Sequence, residues 1–145
     1  LRNLPLTTAA RTARNQGFVD ALLTGSGAAS IRFYSAASGG TLLATRTLAS
    51  SGGATVRPSD GRIVLTVAAT VELVTATGAV LWAELVAADG TSVFAPGEVT
   101  DEAGFAGAAG AAIDTGDIGP WVLAGTSGTQ VYAGGVVQLT TAVIG

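Results

Sequence analysis

The sequence contains no cysteine, histidine, methionine or lysine, and only 12% of its 145 residues are charged. Without cysteine there is no disulfide framework and no thiolate chemistry, and the redox compartment stays open. Without histidine or cysteine, zinc and copper lose their usual ligands, so only a carboxylate site for a hard cation remains. The same absences remove Ser-His-Asp triads, Cys-His pairs and lysine Schiff bases from a single chain. Charge is low against a norm of roughly 25% for soluble domains, while mean hydropathy is +0.53 and glycine reaches 21 residues. A monomer with that surface would be sticky. Coverage in an assembly is the simplest resolution, because contiguous exposed apolar area marks interfaces. A length of 145 residues predicts one domain with room for a core.

The charge that is present is unevenly placed. All seven positive charges are arginines within residues 1–62, where only Asp20 and Asp60 oppose them; residues 63–145 carry eight acids and no base. Either the halves occupy different surfaces and neighbouring copies dock positive to negative, or they interleave in a sandwich and the asymmetry vanishes. Nucleic acid is not an expected partner, since phosphate contacts want clustered Lys and Arg and the net charge is −3. No membrane span is expected either: the densest apolar stretch, 63–88, contains Glu72 and Glu84 and alternates at period two. The opening LRNLPLTTAARTARN lacks the apolar core of a secretory signal, so the chain reads as soluble and not self-exporting.

Residues 1–6 read as an extended arm, because Pro5 biases Leu4 away from helix. A helix follows over 7–24, capped by Thr7 or Thr8 and ended near Gly25. Phe18, Val19, Leu22 and Leu23 share helical spacing, but the same stripe continues back through Asn15 and Arg11. The second half of the helix is therefore expected to dock on the core, while the first half is either a solvated end or a grip for something else. From residue 29 onward period two takes over: Ile31 to Tyr34, Leu42 to Leu48, and a long alternating run from Arg62 to Ala76 that places Ile63, Leu65, Val67, Val71 and Leu73 on one face. That run exceeds an ordinary strand, which predicts a break near Ala68 and Ala69. Ala79 to Phe94 reads as the central hairpin, with Asp89-Gly90 supplying a two-residue type I′ turn. Residues 95–120 read as a long acidic, Gly- and Ala-rich connection with one short strand near Ala111 to Asp114; closing strands follow at Trp121 to Ala124, Thr129 to Ala133 and Val136 to Ile144. One helix and eight or nine strands predict a mainly β chain, an antiparallel β-sandwich or jelly roll over 29–145 with one N-terminal α-helix.

Few constellations suggest chemistry. Ala111-Ala112-Ile113 running into Asp114-Thr115-Gly116 resembles an aspartic-protease loop, which a homodimer could complete, but Asp117 follows at once and no flap motif accompanies it. Glu98, Asp101, Glu102, Asp114 and Asp117 are the carboxylates available to a hard cation, yet no D-x-D-x-D-G loop orders them, so neither a metal nor another cofactor is expected. Trp82 and Trp121 are core residues or interface anchors, without the clustered aromatics of a sugar site.

The order of TAARTARN (Thr8 to Asn15), VDAL (Val19 to Leu22), IRFYS (Ile31 to Ser35), GTLLATRTL (Gly40 to Leu48) and WAELVAADGT (Trp82 to Thr91) resembles a group of small tailed-bacteriophage virion structural proteins. Members of that group are similar to capsid cement, or decoration, proteins with a jelly-roll domain. The likeness is weakest from Gly97 to Gly119, where this chain is more acidic and Gly-rich. The resemblance implies a non-enzymatic structural protein, made in the host bacterial cytoplasm, that binds the major capsid protein on the outer capsid surface of the virion. It also implies self contacts as a homo-oligomer, a dimer before a trimer, with avidity multiplying each contact. Residues Leu1 to Gln16 would grip a neighbour, and the expected interface residues are Arg2, Arg11, Arg14, Asn15, Trp82, Glu98, Asp101 and Glu102. A tail, collar or host-binding component of the same build is the alternative, and a dimeric aspartic hydrolase using Asp114 the distant one.

Overall fold

The computed structural model describes residues 6–105, 121–125, 128–140 and 142–144. Among the described residues the chain is mainly β with one long helix, and its main sheet is curled and rich in antiparallel pairs. Helix α1 (Thr8–Leu23) begins where the hydroxyl of Thr7 accepts from the Ala10 N–H at 3.2 Å, satisfying one of the orphan donors of the first turn. At its other end Thr24 is extended, and Gly25 follows at φ +132°. A left-handed cap is therefore not what Gly25 provides. A Cβ there would lie 2.6 Å from the Asp89 backbone nitrogen, so glycine allows the helix end to abut the 87–91 turn. The Ala88 N–H donates to the Leu22 carbonyl at 2.9 Å and closes that contact.

Five strands form the main sheet in the order β2 (Leu42–Thr47), β1 (Ser30–Tyr34), β6 (Trp82–Val86), β7 (Ser92–Asp101), β8 (Trp121–Leu123). All neighbours are antiparallel except β7 and β8, which run parallel. Parallel neighbours need a crossover of a dozen or more residues, and 102–120 supplies that length. A second sheet orders β10 (Ala142–Ile144), β4 (Ile63–Leu65) and β3 (Ala54–Val56); β5 (Gly78–Ala79) and β9 (Gln130–Val131) make a two-stranded ribbon. The Leu48 to Val67 bridge carries β2 on toward β4, which is where the first sheet curls into the second. Ile31, Phe33, Val80, Ala83 and Leu85 are fully buried between these layers, with Val19 and Leu22 of α1 joining the same cluster.

Three expectations need correction. The Ala79 to Phe94 hairpin exists as β6–β7, but only glycines among the described residues have positive φ, so Asp89 is not in a type I′ turn. Ala88, Asp89 and Gly90 instead form a three-residue connection with Gly90 at φ +90°, the Gly90 N–H reaching the Ala87 carbonyl at 2.9 Å and Asp89 accepting from the Thr91 N–H at 2.9 Å. Second, β7 continues through residues 95–101, which the sequence assigns to a loop; Ala83 faces Gly97 and Leu85 faces Phe94, so a bulge falls at Pro96, where its missing donor is tolerated. The run from Arg62 to Ala76 does break where its length predicts, with β4 and a bridge at Val67 followed by a bend at Ala69 and Thr70. Third, Val71 and Leu73 do not face the core: they are 67% and 56% exposed. Glu72 explains the inversion. Its carboxylate turns inward and accepts from the Thr47 N–H and the Thr47 hydroxyl, both at 2.6 Å, and period two then turns its neighbours outward. The segment β3 also escaped the sequence reading, being too short to show a period. The strand expected near Ala111 to Asp114 lies outside the described residues.

Candidate interaction surfaces

The first half of α1 is spoken for within the chain. Asn15 is 1% exposed, and its amide donates to the Gly61 carbonyl at 2.7 Å while its oxygen accepts from Arg14 Nε at 3.0 Å. Arg11 Nη1 donates to the Asp60 carbonyl at 2.8 Å. These bonds seat the helix on the loop from Arg57 to Arg62, where Gly61 at φ +71° comes so close that a Cβ would lie 2.9 Å from the Thr12 nitrogen. Within the loop, Arg57 forks onto the Asp60 carboxylate, whose pKa is held well below the usual carboxylate range chiefly by that hydrogen bond. Arg11, Arg57 and Arg62 thus gather at a single acid, and two of the residues expected to reach outward, Arg11 and Asn15, bind their own fold. Arg2 lies outside the described residues.

Trp82 and Glu98 do come together. Leu42, Tyr34, Trp82 and Glu98 stand opposite one another across β2, β1, β6 and β7, on the face away from Phe33 and Ala83. In the neighbouring row Arg32 faces Glu84, and the Tyr34 hydroxyl donates to Glu84 at 2.7 Å. Burial raises the Tyr34 pKa, and the Glu84 hydrogen bond and charge add to it. Trp82 therefore has an aromatic neighbour that its sequence context hid, since Tyr34 is 48 positions away and only the register joins them. Trp121, by contrast, is core: it is 3% exposed, and a Cβ on Gly97 would meet its indole nitrogen at 3.3 Å.

The acidic end of β7 is used structurally. Asp101 accepts from the Gly104 N–H at 2.7 Å and the Gly128 N–H at 2.8 Å, bonds that lower its pKa and clasp β7 to the turn after β8. Glu102 lies 3.4 Å from the Gly125 nitrogen. Among the described residues no three Asp or Glu side chains gather as metal ligands, and Asp114 and Asp117 lie outside them. No helix among the described residues is long and apolar enough to cross a membrane.

Composition predicts an apolar surface but does not place it. Among the described residues, Leu6, Phe18 and Leu23 are exposed on or beside α1, while Leu42, Val71, Leu73, Leu81, Tyr132 and Val136 are exposed around the segments 71–81 and 132–136. Regular alternation hid Val71 and Leu73; the run without charge from Leu73 to Ala83 was the available signal.

Comparison of the chain with protein-family models, with curated proteins and with solved structures finds no match.

Proposed function

We propose that the chain is a non-enzymatic assembly protein, and that its assembly is the shell of a tailed bacteriophage, where it serves as a cement protein binding the major capsid protein from outside. The observation that carries this reading is the exposure of large apolar side chains on two separate parts of the fold, on α1 and around Leu73. Monomeric proteins rarely leave such area uncovered. A lattice covers it. The residue order of α1, β1, β2 and β6 adds the likeness to virion proteins, and the curled antiparallel sheet with β10–β4–β3 beside it is compatible with a jelly-roll-like sandwich. Because Arg11 and Asn15 are tied to the Arg57–Arg62 loop, the gripping role passes to the outward side of α1, where Phe18 and Leu23 stand 37% and 44% exposed.

Quantitative mass spectrometry of purified particles tests this. A copy number near that of the major capsid protein is the expected result. A few copies per particle would replace it with a tail, collar or host-binding role, and absence from particles would overturn the virion reading altogether.

A further inference from the structure

Arg46 is a buried charge without an opposite among the described residues. It lies on β2, at the edge of the main sheet, and is 8% exposed. Its cross-strand partner is Ile31, and period two puts Ala44 and Leu48 on the same face; all three are buried, so the arginine stem runs through apolar surroundings. The following segment packs alongside. The Ala49 N–H donates to the Thr66 carbonyl at 2.9 Å and the Ala68 N–H to the Thr47 carbonyl at 2.8 Å, which sets the bend at Ala69 and Thr70 beside the guanidinium. There Arg46 Nη1 approaches the Thr70 carbonyl at 3.5 Å, and its guanidinium makes no other hydrogen bond among the described residues. The ion pairs among those residues all end on Asp60. Glu72, the acid nearest to Thr70 in sequence, gives both oxygens to Thr47.

Taking a cation out of water is costly, and one long contact to a carbonyl offsets little of that cost. The donors left over define the missing group. With Nη1 turned to Thr70, Nε–H and the adjacent Nη2–H remain, two parallel donors along one edge of the planar guanidinium. Neither is sealed in, because the one fully buried side-chain nitrogen without a partner among the described residues is Arg62 Nε. The free edge of Arg46 therefore reaches the surface through a small opening. A carboxylate, with two oxygens in one plane, takes both donors at once. It also carries a single negative charge, whereas a dianion such as sulfate would leave a second charge unpaired over an apolar wall.

We infer that Arg46 is the receptor for one carboxylate, held by Nε and Nη2 together. The inference stands without the capsid reading, since it concerns the purified protein alone.

Nuclear magnetic resonance of the arginine Nε–H groups tests it, because seven arginines give few signals and Arg46→Lys identifies the signal of Arg46. Sodium acetate and the blocked peptide acetyl-Gly-Glu-Gly-amide are titrated, with sodium chloride as the control for ionic strength. A saturating shift of the Arg46 signal is expected with carboxylate and none with chloride. Tighter binding of the peptide assigns the carboxylate to an acidic side chain of another protein; acetate binding as tightly as the peptide assigns it to a small free carboxylate. Bound carboxylate also raises Tm by mass action. Arg46→Lys keeps the charge but loses the fork, and loss of one charge-assisted bond is expected to weaken binding at least about tenfold. Arg46→Met, similar in reach and uncharged, is expected to abolish the rise in Tm, with far-UV circular dichroism checking that it folds. An Arg46 signal that neither probe moves, one that shifts without saturating as that of exposed Arg57 does, or a rise in Tm retained by Arg46→Met would each overturn the inference. Absence of the protein from particles alongside carboxylate binding would sink only the capsid reading.

Discussion

Replacing Asn15 by alanine separates a docked helix from a free one by the sign of the effect. Alanine is the better helix former by roughly 0.5 kcal/mol, so on an unattached helix the substitution stabilises. Here Asn15 is 1% exposed and gives its amide to the Gly61 carbonyl at 2.7 Å. Losing the bond and leaving a buried carbonyl without its donor costs about 1–3 kcal/mol, and the vacated side-chain volume adds to it. The expected net loss is about 2 kcal/mol, or ~4–8 °C in Tm for a chain of this length. Urea denaturation followed by circular dichroism measures it, with Gln16→Ala, an exposed neighbour on the same turn, as the control that moves by less than about 0.5 kcal/mol. Gly61→Ala attacks the joint from the other side, since its Cβ would lie 2.8 Å from Thr12 Oγ1 and 3.0 Å from the Thr8 carbonyl oxygen. A rise in Tm for Asn15→Ala would refute the docking of the first half of α1 and return that face to a partner.

The other expected outcomes are more local. Glu72→Ala removes two charge-assisted bonds to Thr47 and is expected to cost about 2 kcal/mol after allowance for partial exposure, with the Thr47 amide losing its hydrogen-exchange protection. Gly25→Ala forces a Cβ within 2.6 Å of the Asp89 nitrogen at φ +132°, so thermal denaturation should show a loss larger than the 1–3 kcal/mol of backbone strain alone. Asp60, Asp89 and Asp101 all have pKa values below the ordinary carboxylate value, so each binds fewer protons folded than unfolded. Their stabilisation is complete above the unfolded pKa of about 4 and is lost as pH falls through the folded values. Tm measured between pH 7 and pH 2 should fall on the acid side, and Asp60→Asn should flatten part of that fall; an identical profile in the variant would remove Asp60 from the account.

Much of the architecture is legible in the sequence where local chemistry decides it. Thr7 as cap, the helix to Leu23 and the β6–β7 hairpin follow from residues within a few positions of one another. The misplaced parts depend on distant partners. Nothing near Glu72 announces that its carboxylate will bind Thr47, so alternation put Val71 and Leu73 inside. Residues 95–101 look like loop because of Pro96 and Gly97, yet the bulge accommodates the first and Trp121, from a later strand, demands the second. Of the expected interface residues, Trp82 and Glu98 adjoin through the register of the hairpin, whereas Asn15 and Arg11 have partners 46 and 49 positions away that no local pattern announces.

The split between a basic and an acidic half is resolved in space by strand order. β1, from the basic half, lies between β2 and β6, so Arg32 faces Glu84 of the acidic half; Glu72 reaches back to Thr47, beside Arg46, whose guanidinium approaches the Thr70 carbonyl at 3.5 Å. Interleaving therefore cancels the asymmetry within the main sheet. It persists at its margins, where Arg11, Arg57 and Arg62 meet Asp60 at one corner and Glu98, Asp101 and Glu102 follow one another at the end of β7. Exposed charges of that kind steer and orient an encounter more than they strengthen it, and physiological salt screens them beyond about 8 Å. The exposed apolar side chains around Leu73 have the opposite property, because burial of apolar area survives salt and is strengthened by sulfate. Binding of a partner there should therefore depend on Leu73 and Val136, while the rate of encounter should follow the arginines and the acids of β7. Association of the chain with purified capsid shells at two salt concentrations separates the two: salt that lowered the equilibrium affinity as much as the on-rate would show that charge, and not apolar area, holds the complex.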